Sequence, residues 1–573
     1  MDHRERIRKK FINLWKDGRS YGLRLAIAGC GVFALCFTFL FFGPLELVAF
    51  SGGSLIFTWR DVVWLLLGIM AGATILFAPL LALLRGKLFN YSVTILCAVT
   101  LSGYLQAMLL NGDLGLLTGD AIAWTEHAGA MWGSLALWLG ILAALLLLMY
   151  LHRKYWAYTV MIVSGLLVIM QLVPTVVILC GSYDKAQSDK LSGYHLSDKD
   201  FAALGEENVY VFVLDRLDYD YIEKLMQANP DLLKNLDGFT SYTNAISGFA
   251  RTRPALTHML TGAEDYAFRV PADAYFQKAW EENKILDTMA AEDYRISMYA
   301  NIRNLFSNAD TATKYLDNAS NGTAGMDYGI TAKKLLQLSA FRYAPTALKP
   351  FFWADTNYYN AGIYHNDHAN AYQYNDAAYA ALLKNATLSG GKQFRLYHFF
   401  GPHAPYTLNA DGTASETETT LLDQTTGSFV NLLAIFDRMK ELGIYEDATI
   451  IITGDHGAAI SDIKPLQKAT RIGLFYKSAG ASGTPLQYSA APVSVRNIPA
   501  TLVEATGADY QSFGTPLDEV AEDAAITRYY YKTVCDPETW RETQLYIYAV
   551  TGDASNFLNW EVAEKLDIPY SYN

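Results

Sequence analysis

Cysteine is scarce in this chain: five in 573 residues, of which Cys30, Cys36, Cys97 and Cys180 fall in or at the end of long apolar runs, leaving Cys535 alone in the more polar remainder. No disulfide framework can hold that remainder together, so it must be stable through its own core. Basic charge is also in deficit, with 45 Lys and Arg against 57 Asp and Glu. The deficit is uneven: residues 1–182 hold 13 Lys and Arg against 8 Asp and Glu, so everything beyond carries a net charge of −17. An acidic domain without a basic stripe excludes nucleic acid as a partner, and it handles other polyanions only through a cation. Internal repeats, low-complexity tracts and a nucleotide-binding loop are absent as well.

What is present begins with apolar length. Five stretches of about 20 largely apolar residues, near 25–43, 62–84, 91–110, 132–151 and 157–180, are each long enough to cross a hydrocarbon core of about 30 Å as a helix. Arg4, Arg6, Arg8, Lys9, Lys10, Lys16, Arg19 and Arg24 precede the first, Arg85 and Lys87 follow the second, and Arg153 and Lys154 follow the fourth, whereas the opposite loops offer only Arg60. The positive-inside rule then predicts a multi-pass cell-membrane protein with a cytoplasmic N-terminus, and five spans deliver the rest of the chain to the outside. A cleaved signal peptide would need Ala-x-Ala-type chemistry that is not evident. The expected domains are a transmembrane region over 1–181, a linker over 182–206 and an extracytoplasmic catalytic domain over 207–573.

In the outer domain, strand-like runs at 208–215, 295–300, 393–399 and 448–453 alternate with helical patterns near 217–228, 253–261, 276–292, 369–386 and 417–442. The alternation predicts a largely parallel sheet sandwiched by helices, with ligands gathering beyond the carboxyl ends of its strands. Residues 301–368, rich in Asn, Tyr and Ala, read as insertions around the mouth of such a site.

That edge receives the chemistry. Asn208-Val-Tyr-Val-Phe-Val-Leu-Asp215 and Ala448-Thr-Ile-Ile-Ile-Thr-Gly-Asp-His-Gly457 are buried-type strands ending in carboxylate and imidazole groups, making Asp215, Asp455 and His456 candidate metal ligands. In Thr252-Arg-Pro-Ala-Leu-Thr-His-Met-Leu-Thr-Gly262, Pro254 marks a first helical turn, so the Thr252 hydroxyl lies at the positive end of a helix, where an incipient alkoxide is favoured. Taken singly, each has an ordinary explanation, as an N-capping Thr or a polar strand end. Together they form an oxygen-rich, imidazole-containing set that suits one manganese or zinc ion better than calcium, with Thr252 both ligand and nucleophile. His403, in His398-Phe-Phe-Gly-Pro-His403, is the candidate general acid and base; His398, Arg251, Arg253 and Lys468 are candidate substrate contacts. His365 and His368 read as solvated.

These motifs resemble the sulfatase branch of the alkaline phosphatase superfamily over roughly residues 206–520. With the five spans, the chain is most similar to membrane-embedded lipoteichoic acid synthases, phosphoglycerol transferases and phosphoethanolamine transferases. The resemblance implies Asp215 as the first metal carboxylate, Thr252 as nucleophile, Asp455 and His456 as the late metal pair, and His403 beside the substrate. Gly238-Phe-Thr-Ser-Tyr-Thr-Asn-Ala245, Leu260-Thr-Gly262 and Asn497-Ile-Pro-Ala-Thr-Leu-Val503 are similar to further family segments. True sulfatases carry Cys or Ser followed by x-Pro-x-Arg; here Thr252, Pro254 and Leu256 stand instead, which disfavours sulfate-ester hydrolysis. Arg216 in place of a second adjacent carboxylate argues for one metal. The activity implied is transfer of a phospholipid headgroup, phosphoglycerol in type, to a cell-surface glycan or teichoic-type polymer through a phosphothreonine. A phosphate or sulfate ester hydrolase, a phosphoethanolamine transferase and an inactive binding member of the fold remain as alternatives.

Overall fold

A computed structural model describes residues 18–49, 55, 57–112, 122, 124–180, 194–198, 200–263, 267–321, 325–353, 363, 376–458, 462–537 and 540–572; His365, His368 and the start of the helix expected at 369–386 lie outside them. The chain forms two compact units, one of residues 1–191 with 326–363, the other of 192–325 with 364–573.

The first unit contains five helices long and apolar enough to cross a membrane: α1 (Tyr21–Ala49), α2 (Trp59–Leu83), α3 (Gly86–Leu110), α4 (Trp124–Leu151) and α5 (Trp156–Cys180). Each covers one expected span. Two of them change pitch near one end, with π-helical turns at Phe37–Phe42 in α1 and Gln106–Leu110 in α3. A sixth helix, α6 (Tyr328–Tyr343), is N-capped by Asp327, and a 3-10 segment, Thr346–Phe352, follows it. Residues 328–343 thus differ from the insertions around a site mouth expected over 301–368: Thr331, Leu335, Leu338, Ser339, Phe341 and Tyr343 form a buried stripe against the apolar helices. Gly43 makes the approach possible, since a Cβ there would stand 2.6 Å from Tyr343 Cε2.

The second unit is built on a seven-stranded sheet. Its strands are β1 (Glu207–Leu214), β2 (Thr240–Tyr242), β3 (Arg295–Tyr299), β4 (Lys392–Phe399), β5 (Thr449–Thr453), β6 (Leu474–Lys477) and β7 (Gln487–Ser489). They lie in the order β7-β2-β6-β5-β1-β4-β3, and only β6 runs against the others. Val209–Leu214 and Ile450–Ile452 are buried on both faces, as a helix-covered parallel sheet requires, and each such side chain contributes roughly 1.5–3 kcal/mol by leaving water. A one-residue slip would forfeit that burial, so the register is firm. In that register Val213 stands opposite both His398 and Thr453, and Asp215 and Asp455 each lie two residues past the same rung.

Helices α7 (Tyr219–Ala228), α8 (Thr252–Thr261), α11 (Asp376–Leu383) and α12 (Leu421–Glu441) match expected patterns. The single pattern near 276–292 is two helices, α9 (Ala272–Glu281) and α10 (Lys284–Ala291), because Asn283 caps the second through Ile285 and Leu286 N–H. Within the expected 182–206 linker, Tyr194–Leu196 pairs with Ala319–Asn321 and Ala203–Leu204 with Thr387–Leu388; strands of two or three residues are too short to carry a periodic signal. A three-stranded antiparallel sheet ends the chain: β8 (Thr527–Cys535), β9 (Glu542–Thr551) and β10 (Trp560–Asp567).

Candidate metal centre and nucleophile

The three strand ends bring Asp215, His398 and Asp455 together, each buried, with potential ligand atoms all within 4.8 Å of one another. His398 Nε2 lies 3.6 Å from Asp215 Oδ2. After Asp215 the chain turns sharply through Arg216, whose φ is +62°, and the Arg216 N–H donates to Asp455 Oδ1 at 2.9 Å. The His456 N–H donates to the same oxygen at 2.8 Å. Burial alone would raise the Asp455 pKa, but the charge that His456 and His398 carry when protonated, together with these two amides, outweighs it and holds the carboxyl below its ordinary range. Burial also pushes His398 down to about 4, so its ring is neutral.

Neutral imidazole is the ligating form, and neither His398 nitrogen has a hydrogen-bond partner among the described residues; the same holds for Asp455 Oδ2. Leaving such atoms unsatisfied costs about 1–3 kcal/mol each, a penalty that a bound cation removes. The donor set therefore fits a divalent ion.

His456 extends the set. Its Nδ1 lies 2.8 Å from the Gly457 carbonyl, which can only accept, so Nδ1 carries the hydrogen and Nε2 presents its lone pair. That Nε2 is 3.7 Å from Asp215 Oδ1, 3.5 Å from Asp455 Oδ2 and 3.5 Å from Thr252 Oγ1. Thr252 is the first residue of α8, so its hydroxyl combines a helix N-terminus with the ligand cluster. The following loop is fixed by buried Asp218, whose Oδ2 accepts from the Ala458 N–H at 2.7 Å. Gly457 has no substitute, because a Cβ would stand 2.2 Å from Thr470 Oγ1.

The remaining candidates are placed less directly. His403 follows β4 on a turn; its Nδ1 lies 2.5 Å from the Ala404 carbonyl, and its ring sits 4.9 Å from that of Phe400. Arg251 reaches Glu542 (3.3 Å), Asp462 (3.7 Å) and Cys535 Sγ (3.3 Å). Arg253 lies over the Phe276 ring and donates to Ser307, and Lys468 stands 3.9 Å from Asp220. Sequence reasoning named His398 as a candidate substrate contact; the structure places its ring beside Asp215 and Asp455, among the candidate ligands.

It missed two further carboxylates. Asp376 is buried and accepts from the Phe400 and Gly401 N–H groups, fixing the turn between His398 and His403. Glu542, fully buried, accepts from Thr533 Oγ1 at 2.7 Å and holds Arg251 beside Thr252. Nothing local in the sequence marks either one.

The Sulfatase family model matches residues 207–508, and the chain belongs to that family. Enzymes of this fold use a divalent metal. A phosphonate monoester hydrolase from Silicibacter pomeroyi superposes with a TM-score of 0.41 at 14% identity, covering 61% of this chain and 87% of that one. An alkaline phosphatase superfamily protein from Vibrio parahaemolyticus gives 0.36 at 15% identity, covering 63% and 79%. A 2-O GAG sulfatase gives 0.38 at 10%, covering 63% and 85%. No curated protein matches in sequence.

Proposed function

We propose that the chain is a membrane-embedded transferase that moves a phospholipid headgroup, phosphoglycerol in type, to a cell-surface glycan or teichoic-type polymer. Residues 1–181 would anchor it with the N-terminus cytoplasmic, and residues 207–573 would work outside the cell. The observation that carries this reading is Thr252 Oγ1 at 3.5 Å from His456 Nε2, at a helix start, where oxidisable sulfatase nucleophiles have Cys or Ser.

Asp215, His398, Asp455 and His456, with Thr252, would hold a manganese or zinc ion, which when bound would supply Lewis-acid charge beside the Thr252 hydroxyl and the phosphoryl group. Thr252 loses its proton to solvent and its oxygen bonds to phosphorus as the bond to the diacylglycerol oxygen breaks. His403, protonated, gives that oxygen its proton. The acceptor hydroxyl then attacks the phosphothreonine, His403 takes the proton, and Thr252 leaves and is reprotonated. Arg251 and Arg253 flank the nucleophile and contribute positive charge beside the reacting oxygens.

Membranes carrying the protein, incubated with phosphatidylglycerol or phosphatidylethanolamine labelled in the headgroup, test the reading. Label from phosphatidylglycerol should pass to polymer, and mass spectrometry of trapped enzyme should show the adduct on Thr252. Preference for phosphatidylethanolamine, release of headgroup phosphate to water without acceptor, or no turnover with metal bound would replace it by an ethanolamine transferase, a hydrolase or a binding protein respectively.

A further inference from the structure

The segment Met326–Trp353 has the composition and the contacts of a membrane-interface element. It interrupts the catalytic unit in sequence, yet it folds with the apolar helices. It contains four basic residues and one acid, Asp327, in a part of the chain otherwise strongly acidic; Lys333 is exposed and Lys334 partly so, whereas Lys349 is buried on the Phe341 and Arg342 carbonyls.

Its level along the helices follows from length. A hydrocarbon core of about 30 Å takes about 20 helical residues. Counted from the basic ends of α1 at Arg24 and α3 at Lys87, the core ends near Pro44 and Ala107. The segment is held at that level. Arg342 pairs with Glu46 at 2.9 Å, Ser339 Oγ donates to the Phe39 carbonyl at 2.7 Å, and Tyr343 meets Phe39 edge to face at 5.2 Å. Gln106, fully buried, accepts from Ser134 Oγ at 2.6 Å, while the Thr346 N–H donates to that Ser134 oxygen at 3.1 Å and Asn111 donates to the Arg342 carbonyl at 3.1 Å. Ends of three helices are therefore tied to one corner of the segment.

Elsewhere the segment carries apolar groups in the open. Phe351 is 80% exposed, beside exposed Leu348 and Pro350, and Tyr328 and Ile330 are exposed at the other end. Leu109 and Trp132, close to Gln106 and Ser134 in sequence, are 72% and 74% exposed, so the lipid-facing surface of the helices continues at the level of this segment. A segment with exposed apolar groups at the core boundary and Lys333 and Lys334 within it is suited to the headgroup–acyl interface of an anionic bilayer.

We propose that residues 326–353 are an interfacial arm that seats Leu348, Pro350 and Phe351 in the headgroup–acyl boundary of the same bilayer that α1–α5 cross. The inference rests on reading those five helices as membrane spans. The test uses the full-length protein with Cys30→Ser and Cys180→Ser, reconstituted into phosphatidylcholine–phosphatidylglycerol vesicles. A nitroxide is placed in turn at Phe351→Cys, at Leu139→Cys on the exposed face of α4, and at Glu418→Cys on the exposed surface of the catalytic unit. The ratio of relaxation by oxygen to relaxation by a water-soluble nickel chelate should be several-fold higher at 351 than at 418 and should approach that at 139. A ratio at 351 equal to that at 418, with 139 in lipid, overturns the arm alone. Water-like ratios at both 351 and 139 overturn the membrane reading and the arm with it. Spin–spin broadening at 351 would show a second copy of the chain covering it and would also overturn the proposal.

Discussion

In the proposed reaction Thr252, His456 and the carboxylates of Asp215 and Asp455 would act as one unit, so single substitutions within it should be severe. Thr252→Ala removes the oxygen proposed to attack and should lower the proposed transfer by a factor of order 10³ or more, with metal retained but held more weakly; turnover and metal content on the same sample separate the two effects. Asp376 gives a different readout. Burial pushes its pKa up to about 7, against the opposing pull of the Phe400 and Gly401 amides. Between the ordinary aspartate range near pH 4 and about 7, the folded carboxyl holds a proton that the unfolded one has lost, so its contribution to stability falls as pH rises through this window, by no more than about 4 kcal/mol. Thermal unfolding of the detergent-solubilised protein should show that slope, and Asp376→Asn should flatten it. Asp215, Asp455 and His456 were legible in the sequence because burial on both faces turns β1 and β5 into unbroken apolar runs with abrupt polar ends. His398 was harder to assign, since a ring inside a strand gives no sign of whether it meets solvent or ligands until the register sets it opposite Val213.

At the scale of elements, the strand-and-helix alternation and the helix start at Pro254 were readable from periodicity and proline placement. The C-terminal sheet and α6 were not, because their roles depend on contacts hundreds of residues away in sequence. Strand β8 hydrogen-bonds directly to the approach to Thr252, the Tyr531 N–H donating to the Gly248 carbonyl at 2.8 Å and the Ala250 N–H to the Tyr531 carbonyl at 3.2 Å. Glu542 adds a buried charge that holds Arg251, itself about one third exposed. Glu542→Gln should therefore lower stability by on the order of 1–3 kcal/mol, less than a fully buried pair would lose, and slow transfer while metal content stays unchanged. On the other unit, Gly43→Leu drives a side chain into Tyr343. Hydrogen exchange should then quicken across 328–343 while the strands of the catalytic sheet keep their protection.

At the scale of the whole chain, the proposed orientation predicts that a cysteine at exposed Glu418 reacts with a membrane-impermeant maleimide in intact cells, whereas one at exposed Tyr155, beside the basic pair Arg153 and Lys154, reacts only after lysis. The chain passes between the two units three times, after residue 191 and on either side of 326–363. Shedding is thereby made difficult. A protease that nicks the stretch 181–193 severs one connection and leaves the carboxyl-terminal fragment moored through α6, so the fragment should resist extraction by alkaline carbonate. Its release as a free enzyme would take two further cuts.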